Sequence, residues 1–187
     1  HAHYFLAGTI RRKADHYRVT VTLAHTDCAV TIWSGEFEIR CPGDGGGGTD
    51  SIVDQVVNTV GDLFGALAGS VWSASRHKPL DEITAVEAVI RQMHYETHLS
   101  DEMHAFALKA VTRTVRDHPD FAWGWAALAG LHADEFAYLI NDATAESAER
   151  CRECLRQALA VDPACSYAHW IAGLIAFFEG RIDESIH

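Results

Sequence analysis

Two histidines four positions apart, His94 and His98, stand where one helical face could offer both to a metal ion, with Glu102 and His104 just beyond. No His-Glu-x-x-His pattern accompanies them, and with 12 histidines in the chain chance neighbours are ordinary, so no metal site is assigned. Cys151 and Cys154 have the Cys-x-x-Cys spacing. A redox pair of this kind opens a helix after a strand, and a zinc set needs a second Cys or His pair at finger distance. Neither condition is met, so both thiols are expected mid-helix as small buried hydrophobes. Asp134-Glu135 and Asp183-Glu184 are carboxylate pairs of a type used in acid–base chemistry. Neighbours on a helix point in different directions, and both pairs are expected on solvated faces. The run Gly43-Asp44-Gly45-Gly46-Gly47-Gly48 closes on Thr49-Asp50 without the lysine that a phosphate cradle needs, so it reads as a flexible loop. No Ser-His-Asp or Cys-His arrangement emerges from spacing. No catalytic residue and no cofactor are assigned.

The bulk composition narrows the function classes further. The 187 residues carry a formal net charge of −11, and the three lysines, Lys13, Lys78 and Lys109, lie in no basic run. A nucleic-acid surface needs clustered Lys and Arg, so none is expected here. Hydrophobic residues at 48% and charged residues at 22% describe a globular chain with a core. No apolar run approaches membrane-spanning length. Five cysteines, odd in number and unevenly spread, do not form a disulfide framework, and free thiols in the cytoplasm are expected.

The elements that must position these groups fall into two kinds. Tyr4 to Arg12 is a β-branched and aromatic run; Tyr17, Val19, Val21 and Leu23 alternate with polar residues; Val30, Ile32 and Phe37 follow. These predict a three-stranded antiparallel meander. A helix over 51–70 is predicted from the stripe Ile52, Val53, Val56, Val57, Val60, Leu63, Phe64 and Leu67, with Ser51 and Asp54 at its capping positions, and it should cover the sheet. Pro79 marks the boundary between a domain at 1–78 and one at 79–187. From there on the pattern is helical: 84–98, 100–117, 121–140, 145–161 and 165–178, with stops at Pro119 and Pro163 and a sixth helix opening at Gly180-Arg181. The fold class is therefore α+β, a meander with a helix followed by an all-α array. The chain opens beside a strand and closes in the first turn of a helix, so it reads as a piece of a longer protein.

The helical part repeats. His118-Pro119-Asp120-Phe121-Ala122-Trp123-Gly124-Trp125 aligns with Asp162-Pro163-Ala164-Cys165-Ser166-Tyr167-Ala168-His169, an offset of 44 residues. The second unit, from Gly173 through Gly180 to Ser185, with Cys151, Leu155 and Ala158 in the preceding helix, closely resembles a tetratricopeptide repeat. Its small residues stand where paired helices touch. The first unit matches at Trp125 and Leu128, with Ala129 in place of the usual Gly, and carries an excess of about ten residues over the usual period, placed around 136–145. Ala107 and Val111 keep the pattern in an earlier unit, where Thr114 departs from it. The resemblance implies a groove that binds a protein or peptide segment, lined by Trp123, Tyr167, Trp170, Phe177 and Phe178. The competing expectation is that these aromatics pack against segment 136–145 or a following repeat.

A second resemblance covers the N-terminal part. Tyr4 to Arg12, Tyr17 to Leu23, and Ile32-Trp33-Ser34-Gly35-Glu36-Phe37 are similar to the second half of the TolB-like α/β domain. That domain precedes tetratricopeptide repeats in bacterial cyclase-related proteins and winged-helix regulators; the glycine-rich segment departs from its pattern. Together the resemblances imply a cytoplasmic, non-catalytic regulatory or scaffolding module of a larger bacterial signalling or transcription regulator. The alternative is the accessory region of a class III adenylate/guanylate cyclase. Exposed strand and helix faces leave self-association into a homo-oligomer as a further expectation.

Overall fold

The computed structural model describes residues 3–26, 30–40, 48–62, 65–141 and 145–181. The glycine-rich run 43–47, Leu63, Phe64, and the segment from Ile182 with Asp183-Glu184 and the sixth helix lie outside the described residues. Two compact units divide between Ala74 and Ser75.

In the first unit, β1 (Tyr4–Arg12), β2 (His16–His25) and β3 (Thr31–Arg40) form an antiparallel sheet in the order β1-β2-β3. The register brings the alternating apolar residues onto one face: Leu6, Leu23 and Trp33 lie in one row, and Ile10, Val19 and Phe37 in another. Burial is deepest at Leu23 and Ala24, beside an irregularity in the β2–β3 pairing, whereas Leu6 and Ile10 on the edge strand are exposed. The expected single helix over 51–70 is instead two. α1 (Gly48–Val56) widens into a π-type turn at Val57–Gly61, and α2 (Ala66–Ser75) starts afresh. The break sits at Asp62, whose backbone is extended, and at Gly65, whose N–H closes a turn on the Asp62 carbonyl at 2.9 Å. A Cβ at Gly65 would lie 2.8 Å from the Thr59 carbonyl oxygen, so the turn needs glycine. Ser51 falls inside α1, where its hydroxyl accepts from the Gln55 amide at 3.1 Å, and does not cap the helix. α1 packs on β3 and buries Ile52, while Val53 and Val57 remain exposed.

The second unit begins four residues before Pro79 because residues 75–78 are tied to the helices that follow. Arg91 donates to the carbonyls of Ser75 and Lys78, and Lys78 Nζ pairs with Glu87 at 2.7 Å. Arg113 donates to the carbonyls of Leu80 and Ile83, holding the short turn Leu80–Glu82. α3 (Ala85–Glu96) starts at Thr84, where the Thr84 hydroxyl accepts from the Glu87 N–H and the Glu87 carboxylate accepts from the Thr84 N–H. This reciprocal cap satisfies two otherwise unpaired donors. Thr84→Ala is expected to cost about 1 kcal/mol, read as a lower urea midpoint with unchanged slope.

α4 (Asp101–Asp117), α5 (Ala122–Tyr138), α6 (Ala145–Val161) and α7 (Ser166–Phe178) complete the unit. α3 packs on α4, α4 on α5, α5 on α6 and α6 on α7, while α3 also touches α5 and α5 touches α7. α5 is the hub, buried without interruption from Ala126 to Glu135, as its alanines and glycines allow. It ends at Tyr138, short of the expected Ile140, because Leu139 adopts φ 56° and Asn141 φ 53°. Of the segment 136–145, residues up to Tyr138 belong to α5, and Leu139 and Asn141 take left-handed backbone just beyond it.

Candidate functional site

The five sequence-predicted groove aromatics separate into two clusters. Trp123 on α5 and Tyr167 on α7 stack at 5.4 Å between centroids with their planes 5° apart, and Trp170 stacks on Tyr167 at 5.6 Å. Buried Tyr167 is the middle ring of this column, between half-buried Trp123 and Trp170, which is 54% exposed. Phe177 and Phe178 lie at the other end of α7. Phe178 meets Tyr138 edge-on at 5.8 Å, so it packs against the last residue of α5, while Phe177 is exposed. Tyr167 is a core residue as much as a lining one.

The Tyr167 hydroxyl leads from the aromatic column into a polar cluster across α3, α5 and α7. It donates to Glu96 Oε1 and accepts from Gln92 Nε2 at 2.9 Å; Gln92 Nε2 also reaches Glu96 Oε1 at 2.6 Å. Gly130 makes room for this meeting, since a Cβ there would lie 3.2 Å from the Tyr167 hydroxyl and 3.4 Å from Gln92 Nε2. Asp134 belongs to the same cluster. Burial pushes its carboxyl up to about 7, with the charge of Glu96 adding to the rise and Tyr95 opposing it. Burial likewise raises Glu96, against the hydrogen bonds from Tyr167 and Gln92. The Tyr95 hydroxyl is directed at Asp134 without closing a hydrogen bond of normal geometry. Gln92 Oε1, the Tyr95 hydroxyl and Asp134 Oδ2 are all buried and unpaired among the described residues. No Lys or Arg among the described residues forms an ion pair with Glu96 or Asp134.

These positions correct the expectation of a solvated Asp134-Glu135 face: Asp134 is 7% and Glu135 5% exposed. The two do diverge, into different surroundings. Glu135 Oε2 accepts from His132 Nδ1 at 3.0 Å, Ser147 Oγ at 2.9 Å and Arg150 Nη2 at 3.2 Å. Burial acts to raise its pKa, but these hydrogen bonds together hold it below the usual carboxylate value. Close by, buried His104 bonds the Leu131 carbonyl through Nε2 at 3.1 Å and the Asn141 amide through Nδ1 at 2.7 Å. This second cluster ties α5 to α6 through Ser147 and Arg150, and Asn141 to His104 on α4. It is closed and satisfied, whereas the cluster around Asp134 is not.

Other candidates take ordinary places. The rings of His94 and His98 lie 5.1 Å apart, but His104 is turned into the core, away from any shared face with them. Among the described residues no group of three or more His, Cys, Asp or Glu side chains is placed to hold a metal. Cys151 and Cys154 are both buried, and burial pushes each thiol up to about 12, far from a reactive thiolate. A cavity of about 500 Å³ opens between α6 and α7, lined by Leu155, Gly173 and Ala176 with Arg152, Arg156 and Arg181 at its rim. Those arginines pair with Glu149, Glu153 and Glu179.

Gln92, Tyr95 and Glu96 are the residues that sequence reasoning missed. Their signal was a polar side chain on an apolar stripe: Val89, Gln92, Met93 and Glu96 fall at i, i+3, i+4 and i+7. Asp134 gave the same signal within a helix that is otherwise almost entirely apolar. No family model matches the chain, and no curated protein sequence matches it significantly.

Proposed function

We propose that this chain is a non-catalytic regulatory or scaffolding module whose second unit is a tetratricopeptide-type helix array that binds a segment of another protein. Its first unit is read as part of a TolB-like domain, and the whole as a cytoplasmic piece of a larger bacterial signalling or transcription regulator. The observation that carries the reading is the stacking of α3, α5 and α7, the first helices of successive pairs, in series, with an aromatic column from α5 and α7 that ends on exposed Trp170. Each pair buries its stripe only by stacking on the next, which is the logic of a repeat array. An exposed tryptophan beside such a column is the kind of anchor that a bound segment uses. The domain context rests on the sequence resemblances.

Selection of phage-displayed peptides on the immobilised chain tests the reading. Enriched peptides should bind Trp170→Ala at least about tenfold more weakly, with its helical circular dichroism unchanged. Enrichment that ignores Trp170→Ala, or none at all, would count against the groove.

A further inference from the structure

We infer that the bound segment is basic, and that its Arg or Lys side chain ends at Glu96, facing Asp134, with its stem against Trp170. This rests on the peptide-binding reading above and specifies its partner. Two carboxylates share one cluster, and no described cationic side chain pairs with either. Beside them Gln92 Oε1 is left without a partner, and the Tyr95 hydroxyl and Asp134 Oδ2, turned toward each other, close no hydrogen bond of normal geometry. Each of these can accept a hydrogen bond, so an incoming guanidinium or ammonium, which only donates, satisfies what the free cluster lacks.

The placement favours entry of a side chain over a bare ion. Tyr167 links Glu96 at its hydroxyl to Trp170 at its ring face, so the acceptor and the exposed indole stand one tyrosine apart. A basic side chain has that construction, an apolar stem with a charged end. An indole ring also attracts a cation placed over its face. Buried carboxylates without a counter-charge are costly to keep, and a partner's cation offsets that cost on binding. The overall charge of −11 brings basic segments toward the chain, and this cluster offers them acceptors beside an aromatic column. The cavity between α6 and α7 is a poorer receptor for charge, since its arginines are already paired.

Fluorescence anisotropy with a short labelled peptide of alternating leucine and arginine tests this against two counterparts, one with citrulline in place of arginine and one with glutamate. Citrulline keeps the shape of arginine and removes its charge. The arginine peptide should bind about tenfold more tightly than the citrulline peptide at physiological salt, and Glu96→Gln should remove most of that difference. Glu149→Gln, which removes the same charge from an exposed position of α6 beside Arg152, should leave it intact. If Glu149→Gln weakens binding as much as Glu96→Gln, the preference is overall charge and the inference fails. Equal binding of all three peptides, still sensitive to Trp170→Ala, overturns the basic partner and leaves groove binding standing. Absence of binding by any of the three overturns both.

Discussion

Asp134→Asn is expected to stabilise the protein at pH 8, by up to about 4 kcal/mol, the value of moving a carboxyl from its ordinary 3.8 to about 7. The cause is burial first and the neighbouring Glu96 charge second, with the Tyr95 hydroxyl acting in the opposite sense. The sign follows from proton linkage. Folded Asp134 keeps its proton to higher pH than the unfolded chain does, so stability falls as pH rises from about 4 to about 7 and levels off above. An uncharged amide escapes this loss. The gain should therefore be largest at pH 8 and shrink toward zero near pH 4, measured as urea unfolding free energies across that range. A gain independent of pH, or a loss at pH 8, would contradict the assignment. The same variant should bind the arginine peptide more weakly, the usual opposition between stability and a poised site.

Glu135→Gln, one residue on, is expected to act in the reverse direction. Its carboxylate accepts three hydrogen bonds through one oxygen, from His132, Ser147 and Arg150. Arg150 is 44% exposed, so its ion pair contributes little, and the loss comes mainly from the buried hydroxyl and imidazole. A cost of about 2–3 kcal/mol at pH 7 is expected. Burial works to raise the Glu135 pKa, but the hydrogen bonds outweigh it and hold it low, so its contribution is present at neutral pH and lost as pH falls through the folded value. Burial also lowers the pKa of His132, which adds to destabilisation on the acid side, where the unfolded chain takes up the proton more readily. The penalty of Glu135→Gln should shrink below pH 4.5, the ordinary value of this carboxyl, in the same urea series. Two adjacent acids thus give opposite signs at pH 8, a pattern that nonspecific surface charge does not produce.

Sequence alone determined what depends on near neighbours along the chain. Alternation at Tyr17, Val19, Val21 and Leu23 settled β2 and its partners, because side chains in a strand alternate faces regardless of what lies beyond. Pro119 and Pro163 placed the helix stops, because a missing N–H and a locked ring act within one turn. Tertiary structure alone decided three things. It broke the helix expected over 51–70, where a glycine at position 65 permits a turn that the apolar stripe does not signal. It divided the five aromatics between a column on Tyr167 and a pair at Tyr138. Most of all, it buried Asp134 and Glu135, which as acids on a helix read as solvated until their partners are known. The groups around them come from other helices: Tyr95 and Glu96 from α3 on one side, Ser147 and Arg150 from α6 on the other. A periodic pattern states which face of a helix is apolar. Whether a polar residue on it is solvated, paired or left waiting depends on groups dozens of positions away, which only packing brings within reach.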